Sequence, residues 1–114
     1  MLESLKELIT TIRERKNSSE QESYTKKLLN DNSLCREKFM EEVKELIDAL
    51  NTKSNQTHEA ADVIYHMLVL LESNEVKFED VLGELKKRQG ISGLVEKANR
   101  KKWVTIIIIY LLKF

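Results

Sequence analysis

Proline is absent from the 114 residues and glycine occurs only three times. Turn-rich β-sandwiches and barrels need such residues at their many chain reversals, so the scarcity excludes them and points to helices. The single cysteine, Cys35, rules out an intrachain disulfide framework and a paired-cysteine metal site. It reads as a bystander suited to a reducing compartment. Charge of one sign is also missing, because 19 Lys and Arg balance 19 Asp and Glu. That balance removes the electrostatic pull toward nucleic acid or an anionic membrane surface, and neither is expected as a partner.

Long apolar runs are few. The N-terminal stretch MLESLKELITTIRERK carries glutamates before its basic residues and lacks an apolar core with a cleavage site, so it does not read as a secretory signal. The expected location is the cytoplasm. The run WVTIIIIYLL at 103–112 follows three basic residues, but as a helix it spans about 15 Å where a bilayer core needs about 20 residues. It cannot cross a membrane. Its isoleucines, Val104 and Thr105 favour strand, so residues 103–114 are either added cover for a dimer or core surface or an appendage foreign to the fold. The remainder, 1–102, reads as one all-α domain with no repeat and no linker long enough to divide it.

Helical periodicity is clear along that body. Leu2, Leu5, Leu8, Ile9 and Ile12 recur at three- and four-residue spacing and predict an amphipathic helix ending near the polar run at 17–21. Ser23 is placed to cap a short helix through Leu29, and Ser33 to cap a longer one. On that longer helix Phe39, Met40, Val43, Leu46, Ile47 and Leu50 form an apolar stripe, predicted to face the core. The next helix, over 56–73, is apolar on nearly every face and predicted to be mostly buried. It carries more apolar surface than one small protomer can cover, which predicts a dimer. A further helix over 78–89 and a short basic one at 94–102 complete the pattern.

Chemistry is expected where charge and burial conflict. Glu59 and Asp62 lie one turn apart on the most apolar helix, with His66 a further turn along. Burying ionised carboxylates costs several kcal/mol each unless a cation compensates. On the preceding helix Lys38, Glu42, Glu45 and Ala49 form a second stripe beside the apolar one, and an antiparallel hairpin brings the two acidic pairs face to face. Four converging carboxylates make a hard oxygen cage of the kind suited to Mg²⁺ or Mn²⁺ rather than zinc. The competing reading is a solvated face of ordinary salt bridges, since acidic residues three apart also occur at Glu45/Asp48 and Glu72/Glu75. His66 reads as a hydrogen-bonded core histidine, and Glu41 and Glu37 as solvent-facing or supporting residues.

EEVKE at 41–45, thirteen intervening residues and EAADVIYHMLVLL at 59–71 resemble the ExxE…ExxD signature of the MazG-like all-α NTP pyrophosphatases. Together with SYTKKLL at 23–29, EKFMEEVKE at 37–45, LKKR at 85–88 and SGLVEKANR at 92–100, the wording is similar to the phosphoribosyl-ATP pyrophosphatase branch. The resemblance covers roughly residues 5 to 100. Two features depart from it: Met40 stands where that family commonly has glycine, and nothing in it accounts for the tail.

The resemblance implies a helical bundle completed by homodimerisation and a hydrolase of histidine biosynthesis that splits phosphoribosyl-ATP into phosphoribosyl-AMP and pyrophosphate. It implies Mg²⁺ held by Glu42, Glu45, Glu59 and Asp62, with Glu41 or one of those four taking the proton of the attacking water. Lys38, Arg88, Lys97 and Arg100 become expected phosphate contacts. Ser23, Tyr24 and Thr25 become expected phosphate or ribose contacts, with helix capping the other use for Ser23. Two alternatives stay open at this point: a MazG-like enzyme trimming ordinary nucleoside triphosphates, and a non-catalytic helical dimerisation module.

Overall fold

The structure, a computed structural model, describes residues 2–89 and 98–100. Every regular element among them is helical: α1 (Leu2–Glu14), a 3₁₀ turn (Arg15–Asn17), α2 (Tyr24–Asn30), α3 (Asn32–Thr52), α4 (Gln56–Ser73) and α5 (Phe78–Arg88). The chain divides into two units, Met1–Phe78 and Glu79–Phe114. The predicted tail and most of the basic helix at 94–102 lie outside the described residues. No helix among those described is long and apolar enough to cross a membrane.

Local chemistry accounts for the helix boundaries. Ser23 caps α2, its Oγ accepting the Lys26 N–H at 3.2 Å. The cap of α3 is Asp31 rather than Ser33: its Oδ1 accepts the Leu34 N–H at 3.0 Å and its backbone oxygen accepts the Cys35 N–H at 2.9 Å. A carboxylate at the positive end of the helix is worth more than a neutral hydroxyl two residues inside it. α3 turns into α4 through residues 53–55, where Lys53 (φ 55°) and Asn55 (φ 57°) adopt the left-handed conformation. Asparagine tolerates that region. Lysine does not do so readily, and here it stands where glycine is the usual choice.

The core lies where α1 and α2 meet the C-terminal half of α4. Ile9, Ile12, Leu28, Cys35, Leu68 and Val69 form its buried centre, with Leu5, Leu8, Leu29, Leu34, Tyr65, Leu70 and Phe78 packed against it. Cys35 is a core residue, wholly enclosed, and burial pushes its thiol pKa up. Nothing about it suggests reactivity.

The predicted core stripe of α3 is only half inside. Phe39, Val43 and Leu46 are partly buried, but Met40, Ile47 and Leu50 are each more than half exposed. The buried residues of α3 are instead Cys35 and Ala49, which share a face with Glu42 at seven-residue spacing. The helix therefore presents its acid-bearing face to α4 and leaves the far edge of its apolar stripe uncovered. α4 departs in the same way from its predicted burial, since Ala61 and Ile64 are exposed.

Candidate active site

α3 and α4 form the most extensive helix pair of the first unit, and their facing sides gather the carboxylates. One oxygen from each of Glu42, Glu45 and Glu59 lies within 4.8 Å of the others. A second group, His58, Glu59 and Asp62, meets the same limit, so Glu59 joins both. Three of the four expected ligands thus converge directly and Asp62 joins them through Glu59. Its Oδ2 sits 3.3 Å from His58 Nε2. The sequence reading missed His58; its position one turn before Asp62 was the available signal.

The electrostatics of the cluster are those of crowded acids. Glu42 Oε2 and Glu59 Oε2 are buried without a hydrogen-bond partner. Burial first, then repulsion from Glu45 and from Asp62, raises the pKa of both carboxyls above the ordinary 4.5, while His66 eases Glu42 and His58 eases Glu59. No Lys or Arg ion pair reaches any of the four among the described residues. The ion pair they make among the described residues is that of Asp62 with His58. An all-oxygen set of this kind, with two orphaned buried acceptors, fits a hard divalent cation.

Lys38 and Glu41 lie beside this cluster on α3 and pair with each other, Nζ to Oε2 at 3.1 Å. The hydrogen bond that Lys38 donates to Glu41, and the Glu41 charge, raise the Lys38 pKa. Glu41 is exposed and stands outside the acidic group. On α2, Ser23 is buried in its capping role. Tyr24 and Thr25 reach across to α4, Tyr24 Oη lying 3.3 Å from His66 Nε2 and Thr25 Oγ1 bonding to Tyr65 Oη. Burial raises the Tyr24 phenol pKa; the Lys38 charge opposes that and the Glu42 charge adds to it, so its oxygen lies within electrostatic reach of the cluster. Of the remaining expected contacts, Arg88 is on α5, with Nε 3.1 Å from Glu84 Oε1. Arg100 is an exposed residue of a helical stretch in the second unit, and Lys97 lies outside the described residues.

Comparison with known proteins narrows the chemistry. The sequence model of the phosphoribosyl-ATP pyrophosphohydrolase family matches residues 5–89. The chain is 44% identical over 102 residues to "Phosphoribosyl-ATP pyrophosphatase 1" of Rhodopseudomonas palustris, covering 87% of this chain and 95% of that protein. It is 46% identical over 99 residues to the phosphoribosyl-ATP pyrophosphatase of Dinoroseobacter shibae, covering 84% and 97%. With the enzyme of that name from Ruegeria sp. it shares 45% over 101 residues, covering 86% and 96%. No solved structure matches it significantly. The matched span contains both acidic helices and the α2 residues that face them, and with identity of this level over nearly the whole length of each relative, the chain belongs to the phosphoribosyl-ATP pyrophosphohydrolase family.

Proposed function

We propose that the chain hydrolyses phosphoribosyl-ATP to phosphoribosyl-AMP and pyrophosphate, a step of histidine biosynthesis, as a Mg²⁺-dependent cytoplasmic homodimer. The observation that carries this reading is the pair of orphaned buried oxygens on Glu42 and Glu59, one on each helix of the hairpin, in a member of this family. Glu42, Glu45, Glu59 and Asp62 would hold the cation. When bound, it supplies positive charge that neutralises phosphate oxygens and the pyrophosphate leaving group.

The chain's own residues account for the other requirements. The Lys38–Glu41 pair is exposed enough to exchange partners: a substrate phosphate competes with Glu41 for the Lys38 ammonium and releases the Glu41 carboxylate. Glu41, or one of the four acids, then accepts the proton as water oxygen bonds to phosphorus and the bridging P–O bond breaks. Tyr24 and Thr25, which bond to α4 from α2, serve as further substrate contacts. Ser23 acts on substrate indirectly, by capping the helix that presents them. Arg88, Lys97 and Arg100 serve as phosphate contacts.

The uncovered edge of the α3 stripe (Met40, Ile47, Leu50) and Ile64 of α4 supports dimerisation, because exposed apolar residues on the two longest helices are a surface for a second copy. Pyrophosphate release from phosphoribosyl-ATP, with and without Mg²⁺ and beside ATP and dCTP, tests the reading. Mg²⁺-dependent turnover of phosphoribosyl-ATP with slow or no turnover of the others is expected. Comparable rates on all three nucleotides would assign the chain to general nucleotide trimming instead.

A further inference from the structure

Consecutive residues of α4, Tyr65 and His66, grip consecutive residues of α2, Thr25 and Tyr24. The bonds of His66 determine the direction of a proton beside the acidic cluster. The residue is 5% exposed and its ring stands edge-on to Tyr65 and Tyr24, with centroids 5.0 and 6.0 Å away. His66 Nδ1 lies 2.8 Å from the backbone oxygen of Asp62. A carbonyl oxygen only accepts, so Nδ1 carries a hydrogen. In a neutral imidazole Nε2 is then a bare acceptor, and the group 3.3 Å from it is the Tyr24 hydroxyl.

Tyr24 has one hydroxyl hydrogen, and this arrangement commits it to His66. What its oxygen offers to anything else is lone pairs. Phosphate oxygens are acceptors and gain nothing from lone pairs. A nucleotide's nearest donors to its α-phosphate are the ribose hydroxyls, a few bonds away. A phenol joined through His66 to the backbone of Asp62 is therefore suited to the sugar rather than to the phosphate chain. We propose that His66 is a positioning residue that holds Tyr24 as a hydrogen-bond acceptor for the 2′- or 3′-hydroxyl of the substrate's ATP ribose. The proposal rests on the hydrolysis of phosphoribosyl-ATP set out above.

The first test needs neither metal nor nucleotide. In the full chain with ¹⁵N-labelled histidine, at a pH well above the usual histidine pKa of about 6.5, His66 shows a protonated Nδ1 and an unprotonated Nε2. The Nε2 resonance moves in Tyr24→Phe. A protonated Nε2 overturns the proposal. In turnover, Tyr24→Phe raises KM for phosphoribosyl-ATP about fivefold with kcat within about twofold, the size of one neutral hydrogen bond. An analogue lacking the 2′- or 3′-hydroxyl of the ATP ribose suffers the same rise with wild type, and Tyr24→Phe adds nothing on the analogue that lacks the contacted hydroxyl. His66→Leu reproduces the Tyr24→Phe rise, and His66→Gln, which restores an acceptor, recovers most of it. An unchanged KM in Tyr24→Phe, or losses that add on both analogues, overturns the proposal. Failure of the underlying function is seen separately. Wild type that releases no pyrophosphate from phosphoribosyl-ATP overturns both readings, whereas an active enzyme with a protonated Nε2 overturns this one alone.

Discussion

Glu59 and Glu72 sit on the same helix and meet opposite surroundings. Glu72 is 14% exposed by side chain and lies in a clasp of cations, with Lys16 Nζ at 2.6 Å and Arg13 Nε at 3.3 Å. Burial alone pushes its carboxyl pKa up, but the hydrogen bonds from Lys16 and Arg13 outweigh it and the net displacement is downward. Glu59 also loses water to burial, yet α3 brings it the Glu45 carboxylate, and its pKa is displaced upward. The same residue type thus marks two uses of one helix. Near α1, charge is neutralised within the chain and contributes to stability. Against α3, acids crowd together with no Lys or Arg partner among the described residues, an arrangement that fits the proposed cation.

The largest contrast is in activity. Glu59→Gln or Asp62→Asn removes ligand charge at near-constant volume, and pyrophosphate release should fall about a thousandfold or more. Glu72→Gln should leave turnover close to wild type. Steady-state kinetics on the three variants checks both halves. A large loss in Glu72→Gln would break the division between the two regions.

Stability should separate them in the reverse sense. Glu72→Gln leaves Arg13 and Lys16 facing a neutral amide and should cost about 1 to 3 kcal/mol by chemical denaturation. That is less than the 3 to 5 kcal/mol of a fully buried pair, because Arg13 and Lys16 are 36% and 47% exposed. Glu42→Gln or Glu59→Gln, measured without metal, should be neutral or stabilising, since each removes one of several mutually repelling charges.

The two regions also respond to pH with opposite signs. The folded-state pKa of Glu72 lies below its unfolded value, so its stabilisation is fully present above about 4.5, the ordinary value, and is lost as pH falls through the lowered one. The gap between wild type and Glu72→Gln should close over that acid range. Glu42 is the opposite case. Its folded-state pKa is raised, so the penalty is fully present above that raised value and disappears as pH falls through it toward 4.5. Any gain in metal-free Glu42→Gln at neutral pH should therefore fade on acidification. Denaturant midpoints against pH for the two variants check the signs.

The smallest expected effect serves as a control outside both regions. Lys53→Gly relieves a left-handed lysine in the α3–α4 turn and should stabilise by about 0.5 to 1 kcal/mol. Turnover should be unchanged, as measured on the same preparations.

Much of this was readable from the chain. Periodicity located the helices, Ser23 declared its cap, and the two acidic pairs were assigned to facing sides of a hairpin. What periodicity could not decide was which flank of α3 turns toward α4. An apolar stripe identifies a face that leaves water, but a partner helix or a second copy can remove it equally well. The stripe therefore predicts Met40, Ile47 and Leu50 in a core that does not contain them, whereas Cys35 and Ala49, too small to stand out, are the buried residues of the helix. The cap of α3 was misplaced for a related reason, as Asp31 and Ser33 both suit the position and only backbone geometry chooses between them. The Tyr24–His66 bond depends on a distance between side chains of two different helices, which no spacing rule encodes.

The central claim is that the acids on α3 and α4 await a cation, and the melting temperature of one variant tests it most directly. Wild type and Glu59→Gln are compared with and without Mg²⁺. Wild type should gain stability by binding linkage, about 2.7 kcal/mol when Mg²⁺ is at a hundredfold its dissociation constant. Glu59→Gln should melt at or above wild type without metal and gain much less with it. If Glu59→Gln melts far below wild type and Mg²⁺ moves neither protein, the cluster is structural and the account is wrong.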